Sequence, residues 1–293
     1  MKINAKDVKE LSDLKDAVFL DCKKALQETK GDIEKAIDHI RKIGLIKAEK
    51  KAGRTVKEGV IHVAQANNKI LMIEINCETD FVAKSTYFVN FVNKISDLII
   101  ANNIYTMEEL QKFQLDGVTI ENLRQELVAK IGENMQISRF VMHNNSNNTL
   151  GLGHYVHFNK IGGVVVLDNN NAELAYDLAV HVVSCQPLGI TTQDIDKKIV
   201  AKEKEIFIAQ AKDSGKPEAI LEKIINGKLN KFLQENSMEN QIFYKENDIT
   251  VKELLAKHNT KILHFTRFEL GELINISTES KNFAEEVREL VKG

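Results

Sequence analysis

The stretch "KILMIEINCETDFVAK", Lys69 to Lys84, decides how the chain is read. Side chains on a strand alternate between faces, so Leu71, Ile73, Ile75 and Cys77 share one apolar side. The run then meets Glu78, Thr79, Asp80 and Phe81, after which the spacing becomes helical: Phe88, Phe91, Val92, Ile95, Leu98 and Ile99 line one side. Upstream, "GVIHVAQ" (59–65) supplies a partner strand, and Asn67-Asn68 between the two is a hairpin turn. Two weaker helical stretches cover roughly 107–132, and "MQISRFVMH" (135–143) alternates as a third strand. The unit is therefore strand, strand, helix, strand.

The same order recurs. "TLGLGHYVHF" and "IGGVVVLD" form a second hairpin pattern, "NAELAYDLAVHVVS" a second helix, and "KILHFTRFELG" a closing strand in which Thr266-Arg267-Phe268 answers Ser138-Arg139-Phe140. This points to an old duplication. The second copy is interrupted at 192–236 by two helical stretches joined by "DSGKPE", where a helix stop precedes proline at a helix start. With "KEKE" at 202–205 and few apolar residues, the first arm reads as exposed, and a projecting helical hairpin fits best.

The N-terminal block reads as three short helices. Asn4 caps the first, with Asp7 three residues on. Val18, Phe19, Cys22, Ala25 and Leu26 form one face of the second, with Leu20 pointing elsewhere beside Lys24. Asp32 caps the third, whose stripe is Ile33, Ala36, Ile37, Ile40 and Ile43, and Gly44 is its expected end. Residues 41–57 then hold seven Lys or Arg against one acid, Glu49. That run reads equally as a surface for RNA or another polyanion and as a solvated linker.

The bulk numbers bound the rest. A chain of 293 residues has room for two or three cores. Its 40 basic and 42 acidic side chains leave a net charge of -2, against a molecule built mainly on phosphate contacts. No apolar run reaches the roughly 18 residues of a membrane span. "MKINAKDVKELSD" has no hydrophobic targeting region, and the three separated cysteines, Cys22, Cys77 and Cys185, fit reduced thiols, so the expected location is the cytoplasm.

Catalytic signatures are missing. Gly215-Lys216 is followed by Pro217, and Gln210 stands where a P-loop needs its first glycine. His154 and His157 lie three apart on a strand and face opposite sides, so they cannot chelate together. No set of acid, base and nucleophile stands at usable spacing, so the reading is a non-enzyme with no metal ligands and no cofactor. Taken alone, Asp80 is a helix N-cap and Phe81 a core or staple residue.

One resemblance changes that last reading. "DCKKALQETKGDIEKAI", "KAEKKAGR", "NCETDFVAK", "KIGENMQISRF", "SGKPEAILEKIINGKLNKF" and "TRFELGE" occur in this order from near residue 5 to the C-terminus. The set resembles the bacterial-type elongation factor Ts family, the guanine-nucleotide exchange factors of the GTPase elongation factor Tu. The resemblance implies an α+β fold: a small three-helix (UBA-like) N-terminal domain with its basic linker (1–54), a core of two related antiparallel-sheet-plus-helix subdomains (55–145, and 146–190 with 237–270), a helical hairpin (191–236) used in dimer contacts, and a C-terminal helical module (271–293).

It also implies sites. Thr79, Asp80, Phe81 and Val82 match the exchange motif, whose acid and phenylalanine press into the GTPase and displace groups holding Mg²⁺ and phosphates. Phe19, Leu20 and Lys23, with Lys50 and Lys51, match the N-terminal docking part. His157, within Tyr155-Val156-His157, and Tyr244 and Lys245, beside Gln241 and Phe243, match contacts of the second subdomain. The implied partner is elongation factor Tu, with no direct nucleic acid and no membrane. The rival reading is an RNA- or ribosome-associated protein using residues 41–57. Before "DCKK" the family carries a glycine-containing turn with methionines; here Asp16-Ala17-Val18-Phe19-Leu20 makes a stiffer one.

Overall fold

A computed structural model describes residues 4–15, 18–212 and 218–274. The described residues fall into two compact units, the first drawn from those up to 64, from 73–142 and from 270–274, and the second from 65–72 and from those within 143–269. The loop "DSGKPE" falls mostly outside the described residues, as does the terminal helix expected from "SKNFAEEVRELVKG".

The first unit begins with three helices, α1 (Ala5–Lys15), α2 (Phe19–Glu28) and α3 (Ile33–Glu49). Asn4 Oδ1 accepts from the Lys6 amide and Asp32 from the Lys35 amide, so both expected caps form. Val8, Leu11, Cys22, Ala25, Leu26 and Ala36 make the small core. Two expectations fail here. Gly44 does not end α3, which runs on to Glu49 and packs there on a later helix; a Cβ built on Gly44 would lie 3.4 Å from that of Ala129. A mid-helix glycine costs about 1 kcal/mol, and here it permits close approach. Val18 and Phe19 do not join the core face. They stand at the N-cap and first turn, about one helical turn short of Cys22, the first buried residue of the face, and remain exposed.

The hairpin β1 (Glu58–Ala66) and β2 (Lys69–Cys77) turns at Asn67 and Asn68, both with positive φ. β5 (Met135–Asn144) completes a sheet of order β1-β2-β5. As its middle strand, β2 is covered on both sides, so Ile70 and Met72 are buried together with Leu71, Ile73 and Ile75. Its buried Glu74 accepts from Arg139 Nε at 2.7 Å, from Asn76 Nδ2 and from the Gly271 amide. The long helix α5 (Thr86–Asn102) buries the six residues of its predicted stripe. Helix α4 (Asp80–Ala83) precedes it. Helices α6 (Met107–Lys112) and α7 (Ile120–Ile131) follow it, separated by a two-residue hairpin of β3 (Gln114–Leu115) and β4 (Val118–Thr119) that the residue pattern did not reveal.

The second unit repeats the scheme. β6 (Gly151–His157), β7 (Ile161–Leu167) and β8 (Ile262–Glu269) form an antiparallel sheet of order β6-β7-β8, with Gly153 opposite Val165 and Val164 opposite Thr266. Helix α8 (Ala172–Cys185) packs on it so closely that a Cβ on Gly153 would fall 2.0 Å from the Ala175 carbonyl carbon. The core gathers Val165, Leu178, Val182, Phe243, Val251 and Leu254, the last two on α11 (Val251–Lys257). Helices α9 (Lys197–Lys212) and α10 (Glu218–Glu235) pair, with Phe207 edge-on to Phe232 at 6.5 Å. Ile199, Ile206 and Ile220 stay exposed on them.

Candidate functional site

The sharpest feature lies where β2 runs into α4. Thr79, not Asp80, is the cap: its backbone is extended and its hydroxyl accepts from the Val82 amide at 3.4 Å. Asp80 is the first helical residue and pairs with Lys84 at 2.7 Å, one helical turn on. That contact raises the Lys84 pKa, but both side chains face water, so the pair is screened and breaks at little cost. Phe81 is neither core nor staple. It is 81% exposed, next to a buried Val82 at 9%. In so short a helix neighbouring residues diverge by about 100°, so a buried valine leaves the phenylalanine facing outward.

The loop is held from behind. Glu133 accepts from the Thr79 amide at 3.0 Å and from its hydroxyl at 2.8 Å. Glu78 accepts from the Asn134 amide at 2.6 Å, and Asn134, nearly fully buried, donates its side-chain amide to the carbonyls of Ala52 and Arg54. Cys77 Sγ lies 3.1 Å from the Thr79 carbonyl, consistent with a packed thiol. The motif residues are thus split in role: Thr79 and Val82 fasten, while Asp80 and Phe81 face out.

The N-terminal candidates are exposed. Leu20 stands at 66%, beside Phe19 and with Leu14 also open, and Lys23 lies on the same short helix. Lys50 is exposed just beyond α3, whereas Lys51 is half-buried. Burial, and after it Arg54, lowers the Lys51 pKa, against the attraction of Glu78 and Glu133. Lys51 therefore belongs electrostatically with the loop at 78–81 rather than with Leu20. The basic run is no loose linker, because Arg41, Lys42 and Lys47 lie on α3. Arg41, Lys47 and Arg54 each face a carboxylate, on Glu126, Asp21 and Glu78.

In the second unit His157 is exposed at the end of β6, its Nδ1 3.1 Å from the Tyr155 hydroxyl. Phe158 follows at 82% exposure, its ring 4.3 Å from that of His157. Tyr155 meets Tyr176 of α8 edge-on at 6.3 Å. One residue along, Asp177 holds Lys245 at 2.5 Å and raises its pKa, while burial raises that of Tyr244. α8 thus joins candidates some ninety residues apart in sequence. Phe158 and Tyr176 were not singled out from the sequence, since a lone aromatic after a strand and one on a helix carry no pattern. Gln241 and Phe243 are structural: Gln241 contacts buried His181 at 3.0 Å, and Phe243 lies in the core. His154 sits half-buried on β6 with its pKa lowered by burial.

Residues 78–272 match the family model described as elongation factor TS. The chain is 42% identical over 296 residues to the elongation factor Ts of Thioalkalivibrio sulfidiphilus, covering all of both chains. It is 45% identical over 285 residues to that of Psychromonas ingrahamii, covering 97% of this chain and 96% of the other. Against the same factor from Methylococcus capsulatus it is 41% identical, again end to end.

Proposed function

Because the chain belongs to the elongation factor Ts family, we propose that it binds the GDP form of elongation factor Tu and drives GDP release by seating Asp80 and Phe81 near the Mg²⁺ and phosphate site of that GTPase. The observation that carries the reading is an 81%-exposed phenylalanine on a loop braced between a central strand and a helix. A large apolar side chain left in water at a rigid point is a contact waiting for a pocket.

Burying Phe81 contributes roughly 1.5–3 kcal/mol, too little alone to eject a tightly held nucleotide. The remainder comes from contacts that each unit makes for itself: Phe19, Leu20, Lys23 and Lys50 in the first, and His157, Phe158, Tyr176, Tyr244 and Lys245 in the second. Once it leaves Lys84, Asp80 brings a negative charge that repels the phosphates and competes with the water and oxygen ligands of the metal. Linkage fixes the rest of the cycle. Whatever factor this chain weakens nucleotide by, nucleotide weakens the chain by the same factor, so abundant GTP later expels it. No covalent bond is made or broken.

The paired hairpin α9–α10, with Ile199, Ile206 and Ile220 outward, supports self-association through that face. The rival RNA reading loses ground because three of the seven basic residues at 41–57 already sit against carboxylates. The test is direct: load elongation factor Tu with labelled GDP, add the protein, and follow release under excess unlabelled nucleotide. Release that stays at its spontaneous rate at saturating protein rejects the proposal.

A further inference from the structure

We infer that Glu133 is a positioning residue for nucleotide exchange: its carboxylate clamps Thr79 and so fixes the direction in which Phe81 is presented. This rests on the exchange reading above.

The clamp is reciprocal. Two consecutive residues of the exchange loop, Glu78 and Thr79, meet two consecutive residues of the α7–β5 turn, Glu133 and Asn134. Each pair exchanges a carboxylate for a backbone amide: Glu133 takes the Thr79 amide, and Glu78 takes the Asn134 amide. Glu133 also accepts a hydrogen bond from the Thr79 hydroxyl through its other oxygen. That hydroxyl is then polarised toward Glu133 while its lone pair receives the Val82 amide and caps α4. The chain of contacts runs Glu133, Thr79, Val82, with Phe81 carried between the last two. Hydrogen bonds to an ionised acceptor are short and directional, so loss of the carboxylate frees the cap and the helix turn that sets Phe81.

The turn itself is built to deliver this side chain. Gly132 ends α7 with φ 92, the left-handed conformation that glycine adopts without strain, and its amide closes on the Val128 carbonyl. Glu133 therefore leaves the helix in a fixed direction toward β2. Asn134 extends the same clamp to the Ala52 and Arg54 carbonyls, just past Lys50 and Lys51. Binding energy gathered at the basic segment thus reaches the loop through a stiff path rather than being lost in loop motion. Such positioning matters because an exchange factor converts docking into distortion only while the inserted group stays aimed.

The test is a double-mutant cycle of Glu133→Ala and Phe81→Ala, read as the GDP-release rate at saturating protein from the labelled GTPase. Amide hydrogen exchange of residues 79–84 in the free protein is measured alongside. Glu133→Ala is expected to slow release by about tenfold, the scale of one charge-assisted hydrogen bond, and to raise amide exchange at 79–84 with the rest of the first unit unchanged. In the Phe81→Ala background the same substitution is expected to change release by less than about twofold, because the group it aims is gone. Glu133→Gln, which keeps one acceptor oxygen for the Thr79 amide, is expected to fall between; it also serves if the alanine variant fails to fold. Equal slowing in both backgrounds, or unchanged protection at 79–84, overturns the positioning role while leaving the exchange loop standing. Undiminished release by Phe81→Ala itself sinks the exchange-loop reading, and the positioning role with it.

Discussion

Replacing Phe81 by alanine separates a contact residue from a structural one, because the structure predicts opposite effects for Phe81 and its neighbour. A phenylalanine carries on the order of 200 Å² of side-chain surface. At 81% exposure only about a fifth of that is hidden in the free chain, worth roughly 1 kcal/mol at 25 cal/mol per Å². Alanine also favours helix slightly more than phenylalanine, so the net stability loss is under about 1 kcal/mol, a Tm shift of at most some 4 °C. Binding tells the other story. If the ring is buried on docking, its loss removes roughly 1.5–3 kcal/mol, which is a 10- to 150-fold drop in GDP release at saturating protein. Val82→Ala is the mirror image. Val82 is 9% exposed, so losing two carbons and leaving a void costs about 2 kcal/mol and lowers Tm by some 4–8 °C. Release corrected for the folded fraction is expected to change far less. Differential scanning calorimetry and stopped-flow release on both variants decide it. A Phe81→Ala protein that melts as early as Val82→Ala, or that releases GDP at the wild-type rate, refutes the reasoning.

Three further outcomes follow from the structure. Lys50→Glu is expected to weaken association with the GTPase, measured by calorimetric titration, and to flatten its salt dependence, since an exposed docking cation is replaced by an anion. Arg139→Met strands the buried Glu74 carboxylate, whose remaining donors are Asn76 and the Gly271 amide; a loss of roughly 3–5 kcal/mol in urea unfolding is expected, and a loss below about 1 kcal/mol contradicts it. Burial lowers the pKa of His181, against the opposing hydrogen bond that its Nε2 makes to the Gln241 side-chain oxygen. The unfolded chain therefore takes up the proton first, so this stability is complete above the unfolded value of about 6.5 and is lost as pH falls through it. His181→Gln is expected to make the decline of Tm between about pH 6.5 and 5 shallower.

The fold was legible wherever a period ran long enough to average out noise. The stripe of α5 and the hairpin turn at Asn67-Asn68 both stand where the spacing put them. The errors fall where one contact overrides a local signal. Gly44 looks like a helix end because glycine usually is one; only the approach of Ala129 from an element eighty residues away makes it an interior residue. β3 and β4 have two residues each and so carry no period at all. Val18 and Phe19 obey the helical spacing but precede the point where the helix is packed, and spacing alone cannot say where a face begins to be covered.

The loop between β2 and α4 shows the same limit more sharply. Local pattern made Phe81 a staple and Asp80 a cap, and both assignments fail for one physical reason. The cap was already supplied by Thr79, whose own orientation depends on Glu133, 54 residues on. A periodicity scan sees a threonine, an acid and an aromatic, and assigns each its commonest local duty. It cannot see that a distant carboxylate has taken over the anchoring and released the other two. The resemblance, which compares whole ordered motifs, singled out Asp80 and Phe81, two side chains that the structure leaves facing water. It did not single out Glu133, although "KIGEN" was among the strings that carried it. A glycine that stops a helix and is followed at once by an acid with no local partner is the trace such a residue leaves. Its meaning becomes readable only when the strand end it faces is known. What the sequence hides here is therefore a division of labour, in which fastening residues face inward so that Asp80 and Phe81, otherwise unremarkable, are held rigidly in water.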